Sequence, residues 1–374
     1  MKRISSIIMT VALMLGMVIA LGGPPVEAAT TYTHIGGSTT ITKNLVVNSD
    51  ANIPDITFGY TITRGTPVAA TASTIEILAS DITATIGNAV FTNSDTANTR
   101  LGLPTDADPT SPTGGKKYVQ KNVTVDFPVN SFTKPGVYRY VINETNGGKP
   151  GVTYDETPRF LDVFVVADPS TNTLSVDSYV LRNAQTNIGT NGVYETEPNV
   201  KSADFTNTIT QCDFEFKKEI TGNQGDKDKR FTFTLSIANA IPGDYPIVAT
   251  KVTNNPTAIT VASDGTFTGT YDLTDGSSLK VQGLNKDATC TVSEDAQDYT
   301  ATHVVDSGSS VSGSSYGPIT LADADHSVAF TNTRNGIIPT GIIFTIAPFA
   351  IGMLLFGALG ITLIARGNQR RYDL

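Results

Sequence analysis

Twice along this chain a lysine, a glutamate and an asparagine enter, in that order, rows of residues that ought to face a hydrophobic core. Side chains alternate across a β-strand, so residues two apart share a face. Ile41, Lys43 and Leu45 share one face, Tyr138, Tyr140, Ile142 and Glu144 another, and Phe205 lies in phase with Asn207. The pattern returns in Phe214, Phe216, Lys218 and Ile220, then in Cys290, Val292 and Glu294, then in Phe330 and Asn332. Lys217 competes with Lys218, but its phase puts it on the opposite face. An isolated charge in an apolar interior costs many kcal/mol, and an unpaired amide about 1–3 kcal/mol. One such row would suggest a shifted register. Two in the same order constrain the chain to two similar β-modules, each with a buried polar triad to accommodate.

Composition agrees with that reading. Thr, Val, Asn, Gly and Asp dominate, Trp is absent, and turn signals recur at short intervals, as in all-β sandwiches. The expected fold is all-β, with tandem β-sandwich domains over 30–210 and 211–335. Thr92 to Lys117 and Asn183 to Asn199 should be exposed loops. Asp155, Asp226 and Asp325 fall in turn-like surroundings without the spacing of a calcium loop, and are read as solvated turns. Two Cys and three scattered His offer no zinc spacing, so neither metal nor cofactor is expected. In an exported protein Cys212 and Cys290 are expected to form a disulfide, the other reading being two buried free thiols.

The termini read as processing segments. Lys2 and Arg3 precede the apolar run Ile7 to Leu21 and a small-residue cleavage site near Ala28, so residues 1–29 read as a secretory signal peptide. At the other end Ile337, Ile338, Pro339, Thr340 and Gly341 lead into an apolar span over 342–365 and a tail carrying Arg366, Arg370 and Arg371. The span is long enough to cross a bilayer, and the basic tail would hold its end in the cytoplasm. Residues 336–374 thus resemble the cell-wall sorting signal of Gram-positive surface proteins. The resemblance implies transient membrane insertion, sortase cleavage between Thr340 and Gly341, and attachment to peptidoglycan. The motif lacks the spacer residue of Leu-Pro-x-Thr-Gly and looks like the Val-Pro-Thr-Gly variants of pilin-specific sortases. The net charge is −9, and the two basic termini carry three net positive charges, which leaves −12 between them. So acidic a segment would repel phosphates, which argues against nucleic acid.

Chemistry can make the buried triads tolerable. Desolvation lowers a lysine pKa and raises a glutamate pKa, so both can be neutral in a core. A neutral amine is a nucleophile, and a protonated carboxyl can polarise the asparagine carbonyl and pass a proton to the leaving amine. Attack by Lys on the Asn amide would expel ammonia and leave an isopeptide bond, with folding supplying proximity. The plainer alternative is two surface lysines and asparagines in turns.

Several longer runs carry a family resemblance. They are Thr42-Lys43-Asn44-Leu45, Pro135-Gly136-Val137-Tyr138-Arg139-Tyr140 leading to Glu144, and Pro150-Gly151-Val152-Thr153-Tyr154-Asp155. With them go Lys217-Lys218, Gly225-Asp226, Phe231-Thr232-Phe233, Leu284 through Glu294, and Phe330-Thr331-Asn332. Together they resemble, over essentially the whole chain, the backbone (major) pilins of streptococci, built from immunoglobulin-like domains of the Cna protein B type. The resemblance implies bonds Lys43–Asn207 and Lys218–Asn332, with Glu144 and Glu294 catalytic in single-turnover bond formation rather than as an enzyme. It further implies a covalent fibre of copies of this chain on the cell surface, with pilus and housekeeping sortases and minor pilins as partners. Lys201 is the nearest match to the intersubunit acceptor, or else a plain surface lysine, with Lys116, Lys117 and Lys149 as fallbacks. The alternative function is a wall-anchored adhesin or minor pilin that binds a host ligand.

Overall fold

The computed structural model describes residues 30–78, 80, 82–96, 115–194 and 204–336, and beyond them Met353, Leu354, Leu359 and Ile361. The segment 1–29, Lys201, the motif Ile337 to Gly341 and nearly all of the span 342–365 lie outside the described residues. The four residues described within that span are helical and exposed. Among the described residues no helix is long and apolar enough to cross a membrane.

Every named element is a strand, and the strands form two sandwiches with Thr210 alone between the last strand of one and the first of the next. In the first sandwich Ile35–Asn48 lies between the antiparallel strand Lys116–Phe132 and the parallel strand Asp204–Ile209. The opposing sheet runs in the order Leu174–Arg182, Arg159–Ala167, Gly136–Glu144, Tyr60–Arg64. The second sandwich repeats the plan. Gln211–Thr221 sits between antiparallel Ser278–Asn285 and parallel His326–Thr333. Opposite it run Phe267–Leu273, Phe231–Ala238, Thr289–Glu294 and Ser315–Thr320. In each domain the lysine strand and the asparagine strand are therefore parallel neighbours, and the glutamate comes from the facing sheet.

Alternation explains the cores. Ile41, Leu45, Val123, Val125, Tyr138, Tyr140, Ile142, Leu161, Val163 and Phe205 fill the first. Phe214, Phe216, Ile220, Phe231, Phe233, Leu235, Val292 and Phe330 fill the second. Burying these side chains stabilises each domain by roughly 1.5–3 kcal/mol apiece, as an upper bound. Of the loop expected over Thr92 to Lys117, residues 97–114 lie outside the described residues. Lys116 and Lys117 already belong to a strand, because Val119, Val123, Val125 and Phe127 continue the buried row and register the chain against Ile35–Asn48.

The first domain also buries part of its outer face. Arg139 and Asp162 lie directly opposite one another on neighbouring strands, out of phase with the core rows. They form a two-pronged ion pair of 2.6 and 2.8 Å with almost no exposure. Tyr194 donates to the same Asp162 carboxylate at 2.9 Å, and Arg182 lies over its ring at 3.7 Å. The turn-rich segment after Arg182 is thereby fastened to the sheet instead of lying free as an exposed loop.

The domains touch along their junction. Main-chain bonds run from Asp55 N–H to the Pro242 carbonyl and from Lys286 N–H to the Thr210 carbonyl, both 2.8 Å. The Gln211 side chain accepts from Asn48 N–H at 2.8 Å, and Ile241 of the second domain packs into the first core. Lys149, Gly151, Tyr154, Thr210 and Lys286 line a cavity of about 390 Å³ at this junction.

Candidate functional site

The strand registers bring all six polar residues of the repeated pattern together, three in each core. Lys43 sits opposite Phe205, with Asn207 two residues further along the same strand. Lys218 sits opposite Phe330, with Asn332 two residues further. The offset is identical, and two residues along a strand returns to the same face. Lys43, Asn207, Lys218 and Asn332 are all buried, and the side chains of Glu144 and Glu294 are almost wholly so. Lys217 faces outward and pairs with Glu215 at 2.9 Å, as its phase requires.

In the first domain Lys43 Nζ donates to Glu144 Oε2 at 2.5 Å. Glu144 Oε1 accepts from Asn207 Nδ2. The other end of that amide, Oδ1, accepts from the main-chain N–H of Asp155 at 2.8 Å. The lysine ammonium lies 4.7 Å from the Phe58 ring centroid. In the second domain Lys218 Nζ donates to both carboxylate oxygens of Glu294, at 3.1 and 2.8 Å, and sits 4.4 Å from the Phe231 ring. Asn332 is close enough to Glu294 to favour its charged form. Even so, neither the amide nitrogen nor the oxygen of Asn332 makes a well-formed hydrogen bond.

Burial governs the electrostatics of both sites. It pushes Lys43 down to about 8, against the opposing pull of Glu144. It pushes Lys218 down to about 8 against that of Glu294. Both glutamates are raised by the same desolvation, opposed by their lysines. Desolvation thus moves each pair toward neutral amine and protonated acid, the forms that nucleophilic attack and proton transfer require.

The cysteines require a correction. Cys212 and Cys290 are free thiols, both buried, not a disulfide. Burial pushes the Cys212 thiol up to about 12 and raises Cys290 as well, so in the folded domain both are inert thiols. Asp155 requires another. Its carboxylate is not a solvated turn group: it pairs with Arg159 at 2.7 Å and accepts from Thr206 N–H at 3.1 Å. The available signal was Arg159, four residues on at the head of an apolar strand. Lys116 donates to the Asn48 side chain at 2.6 Å, while Lys149 lines the junction cavity. Among the described residues no three His, Cys, Asp or Glu are grouped to hold a metal ion.

Comparison with known proteins agrees with this geometry. Residues 39–210 match the family described as the Spy0128-like isopeptide containing domain, and residues 213–334 match a domain of unknown function. A pilin of Streptococcus pyogenes serotype M1 is 28% identical over 335 residues, which cover 86% of this chain and 88% of that protein. The crystal structure of the major pilin from Streptococcus pyogenes is 24% identical, with a TM-score of 0.50, over 80% of this chain and 99% of that one. A single-residue variant of that pilin is 25% identical with a TM-score of 0.51 over the same shares. The first sandwich is thus similar to the Spy0128-like isopeptide containing domain. The chain as a whole is a homologue of the streptococcal major pilin.

Proposed function

We propose that this chain is the shaft subunit of a covalent surface pilus, and that each domain closes its own Lys–Asn isopeptide bond. The observation that carries the reading is the recurrence of one buried Lys–Glu–Asn arrangement, at one register offset, in two domains. The neutral amine of Lys43 or Lys218 attacks the side-chain carbonyl carbon of Asn207 or Asn332. Glu144 or Glu294 relays the amine proton to the amide nitrogen, which leaves as ammonia. Each reaction happens once per molecule, so the chain turns over no external substrate. The Cna B-type comparison belongs to this same reading.

The bonds sit where they matter mechanically. Lys218–Asn332 would join the first strand of the second domain to its last, so tension would bypass the strands between them. Cleavage after Thr340 by a pilus sortase would join that carboxyl to Lys201 of the next copy, with Lys116, Lys117 and Lys149 as alternatives. A load entering at Lys201 would pass through Asp204–Ile209 directly into Gln211–Thr221, leaving Lys43 off the path. The Lys43–Asn207 bond would then serve resistance to heat and proteases. Minor pilins, a housekeeping sortase and peptidoglycan complete the assembly in the cell wall.

The decisive test is the intact mass of residues 30 to 336. A deficit of two ammonias supports both bonds. The full expected mass would refute them and move the wall-anchored adhesin reading ahead. A ladder of high-mass species in wall extracts, as opposed to one anchored band, separates shaft from adhesin.

A further inference from the structure

The residues flanking Asn207 carry a step that the Lys–Glu–Asn triad leaves unassigned. Attack on an amide carbonyl drives negative charge onto its oxygen, and a buried oxyanion without a donor is costly. In the first domain the Asp155 N–H already points at Asn207 Oδ1 from 2.8 Å. A main-chain N–H can only donate, so it fixes which end of the amide it meets. The nitrogen end is thereby turned to Glu144, the group that must protonate it. We propose that the main-chain N–H of Asp155 is the oxyanion donor for Lys43–Asn207 bond formation, and that the Asp155–Arg159 ion pair positions it. This inference rests on the isopeptide reading and adds a catalytic group to it.

The placement of that N–H is held from several sides. The Asp155 carboxylate accepts from Thr206 N–H, one residue before Asn207, and from Thr157 N–H at 3.1 Å. Arg159, itself buried, holds the same carboxylate at 2.7 Å. Arg159 also donates to the Asp204 carbonyl at 2.8 Å and to the Thr157 carbonyl at 2.6 Å. Its guanidinium lies 4.6 Å from the Phe205 ring. The ion pair therefore ties the segment supplying the donor to the strand supplying the asparagine.

The step balances. The Lys43 nitrogen lone pair forms a bond to Asn207 Cγ, and the carbonyl π pair moves to Oδ1, where the Asp155 N–H receives it. The amine proton passes through Glu144 to Nδ2, the Cγ–Nδ2 bond breaks, and the Oδ1 pair re-forms the carbonyl. Lysine amine and asparagine amide become an isopeptide and ammonia. No corresponding donor meets Asn332 Oδ1, whose hydrogen-bonding atoms are both without partners. The second domain therefore serves as an internal control within the same molecule.

The test follows both bonds over time in the full-length chain, made by cell-free translation with liposomes present, by mass spectrometry of the cross-linked peptides. Two chains are compared: the wild type, and its ester counterpart with malic acid at position 155, which keeps the carboxylate and removes only the N–H. The ester should slow Lys43–Asn207 formation by about 100-fold relative to the wild type. The Lys218–Asn332 rate should be equal in the two. Equal rates at the first site would overturn the proposal. Should the ester chain fold poorly, Arg159→Leu and Arg159→Lys decide. Leucine should slow the first bond by about tenfold and lysine should restore it, with the second bond constant. A first bond that forms at the wild-type rate in Arg159→Leu overturns the positioning. Absence of both bonds in the wild-type chain would instead overturn the isopeptide reading itself, and this inference with it.

Discussion

The two domains place the same three side chains at the same register and then surround them differently. In the first, both ends of the Asn207 amide are engaged, and Glu144 divides its oxygens between the lysine and the asparagine. In the second, Glu294 gives both oxygens to Lys218, and neither end of Asn332 is satisfied. A buried unsatisfied amide costs about 1–3 kcal/mol, so the second domain has more to gain from consuming its asparagine. The first is better arranged to react. Parallel neighbouring strands bring the triad together in both cases, whereas the supporting groups come from local segments that the two domains do not share.

The largest effect should come from removing either glutamate. Glu144→Ala should abolish the bond in the first domain only, and Glu294→Ala the bond in the second only, each leaving a deficit of one ammonia instead of two from the expected mass. The stranded buried lysine should cost a further ~3–5 kcal/mol in the affected domain. Intact mass reads the bonds and thermal unfolding reads the cost. A chain that still lost two ammonias in either variant would remove the glutamate from the mechanism.

A comparable effect confined to one domain should follow Asp162→Ala. It leaves Arg139 buried without its partner and takes the acceptor from Tyr194. About 3–5 kcal/mol should be lost from the first domain, seen as an earlier melting transition, with the second transition and both bonds retained. A shift shared equally by both transitions would show that the domains unfold as one unit.

Next in size is a pH effect that separates amine from amide. In Asn332→Ala, Lys218 remains a buried amine with a folded pKa pushed down to about 8 from an ordinary 10.5. Between those values the unfolded chain holds more protons, so the variant should gain stability as pH rises from about 8 to 10.5. Glu294, raised by burial, contributes the opposite slope in the acid range above its ordinary value. In a wild-type chain bonded as proposed, the lysine nitrogen would be an amide and would not titrate. Its melting curve should lack the additional rise that Lys218 gives the variant across the alkaline window, and an equal rise in both chains would show that the bond had not formed.

How much of this the sequence disclosed follows from the length scale of each feature. Period-two alternation is local, so the inward rows at Lys43, Glu144, Asn207, Lys218, Glu294 and Asn332 were legible, as was the outward phase of Lys217. The all-β class followed from the same rows. Asp155 was not legible as part of the site, because its role depends on a main-chain N–H, which any residue type offers. Arg139 and Asp162 were missed because their strands read as one-sided. Among the described residues, the segment around Tyr194 supplies cover that makes this outer face an interior. The cysteines misled because spacing and compartment speak to opportunity and neither fixes whether two buried thiols are bonded in the fold.

The smallest expected effect concerns the junction, where the two domains stop being separable. Gly283 adopts φ +72°, and a Cβ there would meet the Ala51 Cβ of the first domain at 2.3 Å. Gly283→Ala should therefore cost about 1–3 kcal/mol, from overpacking across the junction and from a backbone conformation that alanine disfavours. Both bonds should still form, because the atoms a Cβ at Gly283 would meet belong to Ala51 and Gln211 and to neither triad. Adding Ala51→Gly removes the clash and leaves the backbone strain. Recovery of most of the loss in the double variant would assign it to contact between the domains. No recovery would assign it to the backbone conformation at Gly283, in the bulged strand Ser278–Asn285 of the second domain alone.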